Sequence, residues 1–309
     1  MNCLRLKWTM KFSVFKEGNR WDRGLFKACA TLCTLSKSNK TTSVLSRVIF
    51  IIVILSCNLS ERHSIAAAYE EIVSNQLLVV ITPEWDATTG SLYRYSREGS
   101  DKEWHLVDQR IPIVVGGQGM GWGKGLHGEA LGDGPAKKEG DGRSPAGVFP
   151  IEKGFGHALA KELSGIRLPY RPLTQTLLCI DDVSSALYNQ IIEPDEHPGW
   201  DWNGTERMSR HYELYKWGLV IEHNAHPPIS GSGSCIFLHV WRGPSVVTGG
   251  CTAMAAEHME DIMKWIDPNS RPLIIQLPLP WYSRLHEAWH LPPPPYEFSS
   301  NNHSSPITR

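Results

Sequence analysis

The feature that most constrains the fold is a series of short apolar segments with strand character, each bounded by turn residues or a glycine-rich loop. Long helical stretches do not alternate with these segments, as they would in a parallel α/β sheet. The pattern therefore predicts a mostly β, mostly antiparallel domain with a few helices, one of them at residues 155–163. The predicted strands cover residues 77–81, 91–95, 104–107, 111–115, 148–151, 217–222, 235–241 and 272–277.

The N-terminal part of the chain differs from the remainder in charge. Residues 1–47 carry ten Lys/Arg and two Asp/Glu, whereas residues 69–309 carry 20 and 29. The acidic remainder argues against nucleic acid as a partner, because phosphate binding needs clustered Lys and Arg.

The basic part leads into an apolar run at residues 48–56, which is shorter than the roughly 20 residues of a membrane span. Such a run is typical of a secretory signal, and the alanines at 66–68 offer a cleavage site. We expect residues 1–68 to be a basic lead plus a signal or anchor segment, and the protein to be exported to the periplasm or cell envelope. An uncleaved membrane anchor is the alternative.

The candidate chemistry lies between Cys235 and Cys251. On a strand, alternate side chains share a face, so Cys235, Phe237, His239 and Trp241 lie on one side, with His239 near the strand's end. A histidine can take the proton of a thiol, which makes His239 and Cys251 a candidate base and nucleophile.

The residues around Cys251 favour this interpretation. Apolar residues recur at helical spacing after it, which predicts a helix that begins near Cys251 and whose positive end would lower the pKa of the thiol. Gly249 and Gly250 allow a tight turn, and the N–H groups of Gly250 and Cys251 can point at an oxyanion. The alternatives are a buried structural thiol and a core histidine.

A zinc site is a second alternative, since His223 and His226 are three residues apart and Cys235 and His239 four. On a straight strand the second pair is about 13 Å apart at ~3.3 Å per residue. Two ligands of one zinc ion must lie within about 4 Å of each other. The sequence therefore predicts no metal site, and the thiol chemistry needs no cofactor.

The chain has seven cysteines, of which four lie in or before the predicted signal. If Cys251 is the working thiol, Cys179 and Cys235 remain as a candidate disulfide in an exported protein. Three reduced, buried thiols are the alternative.

Three elements resemble the L,D-transpeptidase catalytic-domain (YkuD-type) family of bacterial cell-wall enzymes: residues 141–149 (DGRSPAGVF), the strand with His239, and the run TGGC that ends at Cys251. The resemblance covers residues 76–280 and implies an L,D-transpeptidase-like β-sandwich. The remaining residues, 281–309, are rich in Pro, Ser and Asn and predict an extended, mobile tail.

By this resemblance Cys251 is the nucleophile, His239 the base, Gly250 part of the oxyanion hole and Thr248 a hydroxyl that shapes the site. Two positions depart from the family's usual pattern. Gly249 stands where the family often has His or Asn, and Ala253 stands where it often has Arg.

The missing arginine makes Arg242 the candidate contact for a substrate carboxylate. Trp241 and Gly249 complete the expected substrate-binding residues.

The implied function is a peptidoglycan L,D-transpeptidase. Its cysteine would form an acyl-enzyme with a stem peptide and transfer the acyl group to an amine. The alternatives are a cysteine L,D-carboxypeptidase or amidase on the same fold, and a non-catalytic protein that binds the cell wall.

Overall fold

The strand Gln76–Thr82 lies inside the main sheet, and its seven residues are all buried. Its continuous apolar run, residues 77–81, is typical of a strand covered on both faces. It pairs in parallel with Leu273–Pro278 and antiparallel with Thr89–Ser96. The structure is a computed structural model that describes residues 73–295 except 101, 129, 159–160 and 200–205. All described residues belong to one compact unit.

The described strands, numbered in chain order, are β1 (Gln76–Thr82), β2 (Thr89–Ser96), β3 (His105–Leu106), β4 (Ile111–Val114), β5 (Met120–Trp122), β6 (Ser144–Pro150), β7 (Gly154–Gly156), β8 (Tyr170–Pro172), β9 (Leu178–Cys179), β10 (Ile191–Ile192), β11 (Glu206–Arg207), β12 (Gly218–Val220), β13 (Phe237–Val240), β14 (Thr252–Met254) and β15 (Leu273–Pro278). The α-helices are α1 (Ala256–Trp265) and α2 (Leu279–Leu285), and 3-10 helices lie at Pro194–Glu196, Met208–Tyr215 and Pro268–Ser270.

Twelve strands form one mixed sheet in the order β5-β6-β15-β1-β2-β4-β14-β13-β12-β7-β8, with β3 attached to β2. A second, three-stranded sheet has the order β10-β9-β11. Most pairs are antiparallel, while β1 with β15, β5 with β6, β7 with β8 and β13 with β14 are parallel. The predicted mostly β fold with few helices is confirmed.

Two helices cover parts of the large sheet. Helix α1 buries Met259, Ile262 and Met263 and packs on β12 and β13. Helix α2 buries Tyr282 and Leu285 and packs on β1 and β15. None of the helices in the described ranges is long and apolar enough to cross a membrane.

The helix predicted at residues 155–163 is wrong, because this segment begins within strand β7. Phe155 packs its ring edge-on against Phe237, at 4.9 Å between centroids. Gly156 has φ +151°, and a Cβ there would lie 2.3 Å from the carbonyl oxygen of Lys216. Pairing with β12 and the glycine conformation therefore exclude a helix that starts at this point.

The predicted start of the second helix is also wrong. Cys251 is followed by β14, and α1 begins only at Ala256. Residues Thr252–Met254 pair in parallel with β13, so sheet hydrogen bonding determines their conformation despite the helical spacing of their apolar side chains.

The tail prediction is wrong for the residues just after 280. Trp289 and Leu291 are buried in the core, and the Tyr282 hydroxyl donates a hydrogen bond to the Pro292 carbonyl at 2.9 Å. The folded unit therefore extends at least to Pro292. The predicted lead at residues 1–68 and the end of the predicted tail, residues 296–309, lie outside the described residues.

Candidate active site

One cavity of about 290 Å³ opens beside β13, β14 and the segments that precede these two strands. The predicted catalytic and substrate-binding residues all line it: His239, Trp241, Arg242, Thr248, Gly249, Gly250 and Cys251. The parallel pairing of β13 with β14, in which His239 lies opposite Ala253, brings the histidine close in space to the segment that carries Cys251.

His239 is buried within β13, and its Nδ1 lies 2.7 Å from the carbonyl oxygen of Val240. A carbonyl can only accept, so this contact assigns the ring proton to Nδ1 and leaves Nε2 as a proton acceptor. The ring of Tyr215 packs edge-on against the imidazole at 5.3 Å between centroids.

Burial lowers the pKa of His239 to about 4. The hydrogen bond to Val240 opposes this change, and the charges of His211 and Arg242 reinforce it. His239 is therefore neutral at pH 7, the form in which an imidazole can act as a base.

The Cys251 sulfur is half-buried and touches two backbone groups of the preceding segment. The N–H of Phe237 points at Sγ from 3.4 Å, and the thiol donates to the Cys235 carbonyl at 3.6 Å. Since α1 begins at Ala256, its N-terminus is not at the thiol. The Phe237 N–H instead places its partial positive charge beside the sulfur.

Two hydroxyl groups hold the main chain of Cys251. Thr248 Oγ1 donates to the Cys251 carbonyl at 2.6 Å, and Ser144 Oγ donates to the same oxygen at 2.9 Å. The N–H of Gly250 donates to Thr248 Oγ1 at 3.1 Å. This amide was expected to point at an oxyanion, and in the structure the threonine hydroxyl engages it instead.

The comparison with known families agrees with this geometry. Residues 84–275 match the model of the YkuD family, described as the L,D-transpeptidase catalytic domain, and this is more than half of the chain. The chain belongs to the YkuD family. No match was found among the curated proteins or the solved structures with which it was compared. Members of the YkuD family are in general cell-envelope enzymes that act on peptidoglycan stem peptides.

The departure from the usual YkuD pattern at Ala253 is visible in the cavity. Ala253 is fully buried and lines the wall with a methyl group. Arg242, the candidate contact for a substrate carboxylate, lines the same cavity and is exposed. The other charged residues of the lining lie on different segments: Lys137, Glu139 and Asp181.

The candidate disulfide is present in the structure. It joins Cys179 and Cys235, and Cys251 is the one cysteine of the described residues that is outside a disulfide. The disulfide removes the Cys235 sulfur from any metal site that would include His239.

The other pair of the zinc alternative, His223 and His226, makes separate contacts. His223 accepts from the Lys124 N–H at 3.1 Å and contacts the Ser232 carbonyl at 3.0 Å through its other ring nitrogen. Both nitrogens are therefore engaged. His226 instead lies near Glu152 and Glu222, with ligand atoms within 4.8 Å of one another, but the Lys153 ammonium already lies 3.1 Å from the Glu222 carboxylate.

Three groups that contact the site residues were not identified from the sequence. Ser144 lies within the DGRSPAGVF run, so the resemblance could have identified it. Tyr215 lies in the 3-10 helix Met208–Tyr215, and nothing in its local sequence pattern marks it as part of a site. The Phe237 amide is a backbone group, which a side-chain pattern does not reveal.

Proposed function

We propose that this chain is a peptidoglycan L,D-transpeptidase in which Cys251 is the nucleophile and His239 the general base. The observation that carries the proposal is that a half-buried thiol, directly before β14, and a buried, neutral imidazole on the neighbouring strand β13 line the same cavity. Membership of the YkuD family supports the substrate class.

In the first half-reaction the Cys251 thiol gives its proton to Nε2 of His239. The sulfur attacks the carbonyl carbon of the L-centre of the third stem residue, and the carbonyl oxygen becomes an oxyanion. The oxyanion collapses, the bond to the terminal D-amino acid breaks, and His239 returns the proton to the leaving amine. A thioester with Cys251 remains.

An oxyanion is a stronger hydrogen-bond acceptor than a hydroxyl group. The N–H of Gly250 would therefore exchange its bond with Thr248 Oγ1 for a bond to the oxyanion when that charge develops. The Thr248 hydroxyl keeps its bond to the Cys251 carbonyl during this exchange. Arg242 would bind the carboxylate of the leaving D-amino acid.

In the second half-reaction the amine of another stem peptide attacks the thioester. His239 removes a proton from the attacking amine, and the Cys251 sulfur leaves as its bond to carbon breaks. The product is an amide crosslink and the regenerated thiol. Export to the periplasm or cell envelope belongs to the same proposal, with residues 1–68 as a signal or as a membrane anchor.

Incubation of the full chain with a synthetic stem tetrapeptide, followed by intact mass measurement, tests the first half-reaction. The expected adduct is the tetrapeptide minus its terminal residue, attached at Cys251. Addition of an amine acceptor should release a crosslinked product. Absence of any adduct would refute the mechanism.

The same experiment separates the alternatives. Release of the free tripeptide despite abundant acceptor would identify an L,D-carboxypeptidase. Binding of the peptide with no adduct would favour the non-catalytic wall-binding protein.

A further inference from the structure

The position of the Cys251 sulfur depends on a short stretch of backbone outside its own segment. Its two backbone contacts are the Phe237 amide at 3.4 Å and the Cys235 carbonyl at 3.6 Å. Both groups belong to residues 235–237, where the chain enters β13. The groups that fix this stretch therefore contribute to fixing where the thiol points.

The backbone of Cys235 is held in a conformation that it would not adopt by itself. Its φ is +56°, in the left-handed region that is unfavourable for a residue with a side chain. Such a conformation persists only where the surroundings impose it. The next residue is fixed from the other side, since the Ile236 carbonyl accepts from the Ile221 N–H at 3.1 Å.

One hairpin supplies the two groups that hold Cys235. Cys179, in β9, forms the disulfide to Cys235. Asn189, in the turn between β9 and β10, accepts the Cys235 N–H through Oδ1 at 2.9 Å. The carboxamide of Asn189 also donates to the carbonyl groups of His223 and Asn224, at 2.9 and 2.8 Å.

This hairpin belongs to the small three-stranded sheet, and its strands do not pair with the large sheet that carries His239 and Cys251. We infer that the Cys179–Cys235 disulfide and Asn189 are positioning elements of the active site. They clamp residues 235–237 so that the Cys251 sulfur stays where it can pass its proton to His239 and attack a carbonyl. This inference adds positioning residues to the proposed reaction and rests on Cys251 as its nucleophile.

Two variants loosen the clamp in different ways. Cys179→Ala/Cys235→Ala removes the covalent link without leaving a free thiol. Asn189→Gly removes the side chain that holds the Cys235 amide, and glycine tolerates the φ of +64° at this position. Arg271→Gly is the matched control, because Arg271 also has a left-handed φ, of +49°, and is exposed away from the cavity.

The measurement is the rate of Cys251 acylation against donor concentration, with stem tetrapeptide as donor. We expect both clamp variants to reduce the rate at saturation by about tenfold, since small misplacements of reacting atoms have large effects on rate. The half-saturating donor concentration should stay unchanged in Asn189→Gly, because Asn189 does not line the cavity that holds Arg242. Arg271→Gly should acylate at the wild-type rate.

A second donor separates this inference from the proposed function. p-Nitrophenyl acetate acylates a reactive cysteine without any stem-peptide site, and the burst of p-nitrophenol reports the rate. A tenfold slower burst in the clamp variants would support the inference even if stem peptides fail as donors.

If folded clamp variants acylate at the wild-type rate with both donors, the inference is wrong. A change in the half-saturating donor concentration alone would also refute it, because that result indicates an effect on donor binding and not on the position of the sulfur. Near-ultraviolet circular dichroism establishes folding, and if the double cysteine variant does not fold, Asn189→Gly decides the question.

Discussion

The two segments that meet at the thiol are held in different ways. The base segment, residues 235–240, is buried along its whole length and carries His239. The nucleophile segment, residues 248–254, follows a loop whose Val246 and Val247 are exposed, and its Cys251 is only half-buried. The proposed base therefore lies in the interior, and the proposed nucleophile lies at the rim of the cavity.

The contacts that fix the two segments differ as well. The nucleophile segment is bound to the large sheet through several hydrogen bonds, including Thr248 N–H to the Val115 carbonyl and two hydroxyls on the Cys251 carbonyl. In the base segment, Cys235 is held by one disulfide and one asparagine, while Ile236 accepts a hydrogen bond from the Ile221 N–H. Loss of one contact should therefore be tolerated better at Cys251 than at Cys235.

The largest effect is expected at the sulfur itself. Cys251→Ala should abolish adduct formation with a stem tetrapeptide, a loss of at least about 10³-fold, because no other nucleophile replaces the thiol. Intact mass measurement checks the adduct, and circular dichroism checks that the sheet is retained. An alanine variant that still acquires the adduct would place the nucleophile elsewhere.

The next largest effect is expected in the base segment. His239→Asn keeps a donor for the Val240 carbonyl but removes the proton acceptor, so acylation should slow by about 10²–10⁴-fold. Stopped-flow or quenched-flow acylation rates measure the loss. Acylation at the wild-type rate at pH 7 would mean that His239 is a core histidine.

A smaller effect is expected from the hydroxyls of the nucleophile segment. Thr248→Val and Ser144→Ala each leave one donor on the Cys251 carbonyl, so each should slow acylation only a few-fold. The double variant leaves this carbonyl without either hydroxyl and should lose more than the product of the single effects.

Thr248→Ser keeps the hydroxyl and is the matched control for this double-mutant cycle of Thr248 and Ser144. A loss in the double variant equal to the product of the two single losses would show that the two hydroxyls hold Cys251 independently of each other.

The sequence predicted the strands better than the helices, for a physical reason. The alternation at residues 91–95 and the apolar run at 77–81 both lie inside strands of the structure. Met254, Met259, Ile262 and Met263 share helical spacing, but only the last three lie in α1. Periodicity records which residues are buried, and a short strand before a helix buries residues at the same positions.

The candidate site was predictable where side chains carry the chemistry and unpredictable where the backbone does. His239, Cys251 and the Cys179–Cys235 pair could be identified from residue type and number. The amide that contacts the sulfur and the left-handed conformation of Cys235 could not, because any side chain at Phe237 would present the same N–H. The engagement of the Gly250 amide by Thr248 depends likewise on local geometry.

The smallest effect concerns stability and follows from the burial of the base segment. Burial lowers the pKa of His239 to about 4, against an ordinary value of about 6.5 in the unfolded chain. At a pH between these two values, His239 binds a proton in the unfolded state but not in the folded state. The contribution of neutral, buried His239 to the free energy of unfolding is therefore present in full above pH 6.5 and is lost as the pH falls toward 4.

His239→Asn removes this linkage, so its melting temperature should fall less than that of the wild type between pH 7.5 and 4.5. The difference should be roughly 2–4 °C for each kcal/mol of linkage removed. Burial also lowers the pKa of His127 to about 4 and that of His223 to about 3, so the variant should keep part of the acid sensitivity. Identical acid sensitivity in the two proteins would show that His239 takes up its proton in the folded state as readily as in the unfolded state, and that burial in the base segment does not lower its pKa.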